Sequence, residues 1–213
     1  MRTRLVTFEG GEGCGKSTQL SLLVAKLEAA GQEVVTLREP GGTGLGEIIR
    51  DLLKHHPAGL GMCPEAELLL FAASRAELVR KRILPELQAG KWVLCDRFLD
   101  STTVYQGVAR GLPKDSVAAI NHFAIAGQTP GLTLVLDTDP GEALRRMRLR
   151  DGDTADRMQS EPDSFYQRVA EGFRNLAGQH PDRIRLIPAT ATVEAVSQSI
   201  LKEFRHAFPG VLD

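Results

Sequence analysis

Cysteine is scarce in this chain. Cys14, Cys63 and Cys95 are the only three in 213 residues, an odd number with no CxxC or metal-ligand spacing, which argues against a disulfide framework and for a reducing compartment, the cytoplasm. Excess charge of either sign is lacking as well. With 26 basic residues against 27 acidic, no whole-protein field attracts nucleic acid or anionic lipid, and any basic function has to be local. No apolar run approaches the roughly 18 residues of a membrane span, and the uncharged stretch after Arg4 ends at Glu9, too soon for the apolar stretch of a secretory signal. Aromatics make up only 5%. The remaining composition, 42% apolar and 25% charged, belongs to an ordinary soluble protein with a sizeable core, and the length suits one domain over residues 1–213.

Short apolar or β-branched runs recur between longer helical patterns: RLVTF at 4–8, EVVTL at 33–37, WVLC at 92–95, LTLVL at 132–136 and IRLI at 184–187. They read as buried strands. Between the first two, Leu20, Leu23, Leu27 and Ala30 repeat at helical spacing until Gly31, and a second, longer helix is expected from about Pro64 to Gln88, again closed by a glycine. Strand and helix in alternation imply a five-stranded parallel α/β sheet with helices on both faces, whose functional edge lies where the loops leave the strands.

At the first such exit stands GGEGCGKS, Gly10 to Ser17, which satisfies GxxxxGK(S/T) after a strand and before a helix. The N–H groups of Gly10, Gly11, Glu12, Gly13, Cys14, Gly15, Lys16, Ser17 and Thr18 are expected to surround the phosphates of a nucleoside triphosphate. Lys16 reaches the outer phosphates, and the Ser17 hydroxyl is a candidate Mg²⁺ ligand. A GxGxxG dinucleotide fingerprint is not met there. Phosphate binding alone leaves a phosphotransferase, a GTPase switch and an ATP-driven motor open. Neither a late Asn/Thr-Lys-x-Asp element nor a DxxG loop occurs, and positive charge near the second and third strand exits suits a second anionic substrate.

FEGGEGCGKST, REPGGT, LLFAASRAELV, DRFLDSTTVYQG and the Asp-Arg at 156–157 together resemble thymidylate kinase in its bacterial form, in order and spacing over nearly the whole chain. The resemblance implies a three-layer P-loop kinase fold with a lid, ATP and dTMP as substrates, Mg²⁺ as cofactor, dTDP as product for dTTP synthesis, and a homodimer, with no nucleic acid or membrane as partner. A nucleotide kinase of other pyrimidine specificity and a P-loop switch protein are the alternatives. Asp96, ending its apolar run, sits where a P-loop protein places a carboxylate near the metal. The resemblance implies that Arg97 and Arg50 clamp the acceptor phosphate, Arg97 also acting at the point of transfer. It further implies that Phe71 stacks on thymine, Arg75 donates to its O4, Ser101 and Gln106 bond the base or sugar, Tyr105 walls the 2′ position, Pro40 forms another wall, and Glu12 accepts from the 3′ hydroxyl.

The loop from Gly11 to Cys14 carries no arginine, whereas RRMRLRDGDTADR carries five between Arg145 and Arg157. This stretch, about residues 145–158, reads as a helix running into a closing lid that delivers an arginine over the phosphates and excludes water. Arg150 and Arg157 are the candidates for catalysis, with Arg146 near the adenine. A patch for RNA is disfavoured because no aromatics are interleaved.

Overall fold

The computed structural model describes residues 2–151 and 156–212, the side chains of Arg150 and Asp151 excepted. Five strands, β1 (Leu5–Gly10), β2 (Val34–Arg38), β3 (Trp92–Asp96), β4 (Leu132–Asp137) and β5 (Ile184–Pro188), form one sheet in the order β2-β3-β1-β4-β5. Every pairing is parallel. All five runs expected to be strands are therefore strands. The central one, β1, is buried along its whole length, and its residues alternate between the two apolar layers: Val6 and Phe8 face one, Leu5 the other.

The helix α1 (Lys16–Ala29) lays Leu20, Leu23 and Leu27 into the layer shared with Val196, Ile200 and Phe204 of α9 (Val193–Ala207). It stops where Gly31 turns to a φ of +75° and returns its N–H to Glu28, a conformation that costs a glycine nothing. The opposite face is covered by α2 (Gly44–Lys54), α3 (Pro64–Leu78), α4 (Leu84–Gln88), the one-turn α5 (Leu99–Thr102), α6 (Lys114–Ile125), α7 (Pro140–Asp151) and α8 (Asp163–Gln179), with Leu78, Ile83 and Phe98 forming one cluster and Phe165, Val169 and Phe173 another.

The expected helix at 64–88 runs from Pro64 to Gln88 as α3 and α4, joined by a π turn at Val79–Ile83. Pro85, in the first turn of α4, has no N–H for the carbonyl four residues back, so the ladder widens just before it. A second π segment, Thr103–Ala109, follows α5 and carries Tyr105 and Gln106. In the expected lid, α7 runs to Asp151 and a 3-10 turn occupies Arg157–Ser160. Residues 152–155 of that stretch lie outside the described residues.

Candidate active site

The register Phe8↔Asp96 and Gly10↔Leu136 brings the exits of β1, β3 and β4 to one edge. The loop after β1 is possible only with glycine at particular places. Gly13 has a φ of +73°, and a Cβ there would stand 2.2 Å from the carbonyl oxygen of Ala143. At Gly10, φ is +128° and a Cβ would stand 2.6 Å from the carbonyl of Leu136. Gly15, left-handed in turn, opens α1 without any side-chain cap, so the first N–H groups of the helix point outward at their positive end. Lys16 folds back over the loop, its Nζ donating to the carbonyls of Gly11 at 2.7 Å and Gly10 at 3.3 Å. Beside it the Ser17 hydroxyl donates to Asp96 Oδ2 at 2.9 Å.

Arg97 sits at a φ of +68°, a region costly for a residue with a Cβ. It is held there on several sides. Its backbone N–H donates to Phe8, its guanidinium donates to Gly10 O at 3.0 Å, Ser101 Oγ at 3.1 Å and Glu12 Oε1 at 2.7 Å, and it lies 5.1 Å above the Tyr105 ring. Burial by itself would raise the Glu12 carboxyl, but the charges of Arg97, Lys16 and Lys54 together with the bond from Arg97 outweigh it and hold that group at about 2.

These groups border one cleft of about 630 Å³. Glu12, Gly13, Gly15, Lys16, Ser17, Thr18, Pro40, Arg50, Phe71, Asp96, Arg97, Ser101, Tyr105, Gln106 and Arg146, all singled out from the sequence, line it. Arg50 also donates to the Pro40 carbonyl at 2.9 Å, and Arg146 pairs with Glu142 at 2.7 Å. Gly10, Gly11 and Cys14 do not line it and instead border, with Glu12, a small cavity against β4, α7 and α8.

Two expected site residues are placed differently. Arg75, expected at thymine O4, stands behind the cleft wall and is 1% exposed. Its Nε and Nη2 donate to Glu39 Oε2 at 2.9 and 2.7 Å, its Nη1 to Asn121, and Nη2 further to Thr102 and the Phe98 carbonyl. The buried charge needs the Glu39 carboxylate, and that pairing draws the guanidinium inward. Arg157, expected over the phosphates, donates from Nε to Leu53 O and from Nη2 to Glu67 Oε2 at 2.9 and 2.8 Å. It ties the end of the expected lid to α2 and α3. The side chain of Arg150 lies outside the described residues.

Sequence reasoning missed Arg38, Glu39, Lys54, Thr102, Met158 and Gln159 on the cleft wall. Lys54 had a signal, four residues after Arg50 and so on the same helical face. Two fully enclosed carboxylates behind the wall were also missed. Glu9 ends a buried strand, accepting from the N–H groups of Phe98 and Ser101 and meeting Ser101 Oγ at 2.5 Å. Burial, then the neighbouring Asp100 charge, push its carboxyl up to about 8. Glu67 on α3 accepts from Gln106, Arg110 and Arg157.

A loop shaped for phosphate, opposite a cleft with its own cations, describes an enzyme with two anionic substrates, and the chain's relatives agree. The family model described as thymidylate kinase matches residues 8–200. A thymidylate kinase of Caldanaerobacter subterraneus is 41% identical over 99% of each chain. One of Gloeobacter violaceus is 47% identical over 92% of this chain and 91% of its own. The crystal structure of thymidylate kinase from Ehrlichia chaffeensis superposes with a TM-score of 0.75 at 35% identity, covering 94% of this chain and 97% of the other. Matched over most of its length in sequence and in fold, the chain belongs to the thymidylate kinase family.

Proposed function

We propose that this protein transfers the γ-phosphoryl group of ATP to dTMP, giving ADP and dTDP, at the cleft between the glycine loop and the π segment. The observation that carries this reading is the position of Arg97, which touches the phosphate loop through Gly10 and the acceptor wall through Ser101 while stacking on Tyr105. A guanidinium there faces both substrates where they meet.

The outward N–H groups at the start of α1 and the Lys16 ammonium hold the donor's phosphates. On the other side of the cleft, Arg50 and Arg97 hold the acceptor's phosphate, Phe71 lies against the base, and Tyr105 lies under the sugar. A phosphate oxygen of dTMP is already a nucleophile, so no general base is required, and the protein's work is positioning and charge neutralisation. Glu12, ionised and bonded to Arg97, orients that guanidinium and offers its second oxygen to the 3′ hydroxyl. Among the lid arginines, Arg146 lines the cleft and suits the adenine side.

The Ser17 hydroxyl and the Asp96 carboxylate, 2.9 Å apart at the cleft, are a donor set that fits Mg²⁺, which takes one or two protein oxygens and fills its octahedron with water and phosphate oxygens. When bound, the ion neutralises charge on the transferring phosphates.

The family reading extends to assembly. On α3 and α6, Leu69 is 56% exposed and Phe123 77%, and Arg80 binds the two helices together by donating to the Phe123 and Ala124 carbonyls. This apolar face suits a second copy of the chain, and sedimentation of Phe123→Glu as a monomer, against a wild-type dimer, tests it. Three unpaired cysteines suit the cytoplasm. Among the described residues no helix is long and apolar enough to cross a membrane.

The test of the reaction is product identification: purified protein with ATP, Mg²⁺ and dTMP should form ADP and dTDP in equal amounts, and chelation should stop both. ADP without dTDP would leave an ATPase and refute the assignment.

A further inference from the structure

Gln106 lines the cleft from the π segment. An unrestrained carboxamide cannot discriminate thymine from cytosine. Thymine presents an N3–H donor beside an O4 acceptor, whereas cytosine presents an N3 acceptor beside an N4–H donor, so rotating the amide by half a turn serves one as well as the other.

Gln106 is restrained from behind. Its Nε2 donates to Glu67 Oε1 at 2.8 Å, and Glu67 is 1% exposed. The same carboxylate accepts from Arg110 Nε and Nη2, each at 3.2 Å, and from Arg157 Nη2 at 2.8 Å. Burial alone would raise the Glu67 carboxyl, but the bonds from Gln106, Arg110 and Arg157 keep it below the usual range. An ionised carboxylate only accepts. Turning the amide over would put its carbonyl oxygen against that carboxylate, two buried acceptors facing each other without a proton.

We propose that Glu67 is a positioning residue for base specificity, fixing the Gln106 amide so that its carbonyl oxygen and remaining N–H meet the N3–H and O4 edge of thymine and oppose that of cytosine. The inference rests on the reading of the cleft as the dTMP site. Uracil shares the thymine edge, so the arrangement sorts cytosine from both and leaves the 5-methyl group to other contacts. Arg110 and Arg157 keep Glu67 charged and join the same carboxylate to the last turn of the lid.

The experiment is kcat/KM for dTMP and for dCMP, with ATP and Mg²⁺, in wild type, Glu67→Gln, Arg110→Met and Gln106→Ala. A carboxamide at 67 can donate or accept, so Glu67→Gln should lower the dTMP to dCMP ratio by about tenfold or more while the KM for ATP stays within about twofold. Arg110→Met, which leaves Arg157 on Glu67 at 2.8 Å to keep it ionised and does not touch the amide, should leave the ratio in place. An unchanged ratio in folded Glu67→Gln, or an equal fall in Arg110→Met, overturns the proposal. The underlying reading is tested separately by Gln106→Ala, since undiminished use of dTMP there would mean that Gln106 does not read the base at all. If Glu67→Gln fails to fold, hydrogen exchange of the Gln106 side-chain amide in the wild type decides: protection well above that of the similarly buried Gln19, whose Nε2 donates to the neutral Val193 carbonyl, supports the pinned amide, and equal exchange refutes it.

Discussion

Arg75 and Glu39 form an ion pair closed off from solvent, with two nitrogens of the guanidinium on a single carboxylate oxygen at 2.9 and 2.7 Å and side chains 1% and 3% exposed. Breaking such a pair from one side leaves a charge with no water and no partner. Arg75→Ala should therefore cost about 3 to 5 kcal/mol of stability, read by urea unfolding. A loss below about 1 kcal/mol together with a selective rise in the KM for dTMP would return Arg75 to the substrate side of the wall.

Lys16, 7% exposed, donates from Nζ to the carbonyls of Gly10 and Gly11 and to Cys14 Sγ. Lys16→Ala should lower kcat by about a hundredfold or more, as losing a charged donor at transferring oxygens does, while the loss of its bonds to loop acceptors, about 1.5 to 3 kcal/mol, lowers Tm without unfolding the protein. Paired measurements of kcat and Tm check this, and near wild-type turnover in a folded variant would remove the lysine from the chemistry.

Two carboxylates in or beside the glycine loop should respond to pH with opposite signs. Glu9 is raised from its ordinary 4.5 to about 8, so the stability gained by burying its neutral form is complete below about pH 4.5 and is lost as pH rises through 8. The slope reaches at most about 1.4 kcal/mol per pH unit for one proton. Glu12, held at about 2, contributes stability above pH 4.5 that disappears as pH falls toward 2. Glu9→Gln keeps a polar partner for Ser101 Oγ and an acceptor for the N–H groups of Phe98 and Ser101, and should flatten the decline between pH 5 and 8. Urea unfolding across that range with identical slopes in variant and wild type would show that Glu9 does not carry it.

Tyr105 is 7% exposed, its ring against Phe165 and Phe173 and its hydroxyl enclosed without a hydrogen-bond partner among the described residues. If the ring lies against C2′ of the acceptor, a ribose hydroxyl there is buried unpaired, at about 1 to 3 kcal/mol, which is roughly ten- to a hundredfold in discrimination. Tyr105→Ala should narrow the ratio of kcat/KM for dTMP and its ribo counterpart, whereas Tyr105→Phe, which removes only the unpaired hydroxyl, should keep the ratio and lose no stability. An unchanged ratio in a folded, active Tyr105→Ala would release the residue from guarding the 2′ position.

The sheet was legible because each strand is a short apolar run, the first four closed by a glycine or charged turn, and the phosphate loop because its glycines answer to steric demands visible in the spacing itself. Helix α1 was readable from Leu20, Leu23 and Leu27, all buried as their period requires. The π turn before Pro85 was a local signal passed over. The polar layer behind the cleft is another matter. Glu9 and Glu67 lie in stretches that look like strand or amphipathic helix and Glu39 in the turn after β2, and their partners Ser101, Arg75 and Gln106 stand between 36 and 92 residues away in the chain. No local pattern announces a bond across that distance. For the same reason Arg75 and Arg157 could be recognised as motif positions without revealing that buried carboxylates had claimed them.

The central claim is the transfer of a phosphoryl group to dTMP, and a panel assay tests it most directly. Purified protein with ATP and Mg²⁺ is given dTMP, dCMP, CMP, AMP or GMP in turn, and kcat/KM is measured from ADP release. The account predicts that dTMP exceeds every other acceptor on this panel by at least about a hundredfold. Turnover of dTMP no greater than that of CMP, AMP and GMP would contradict it.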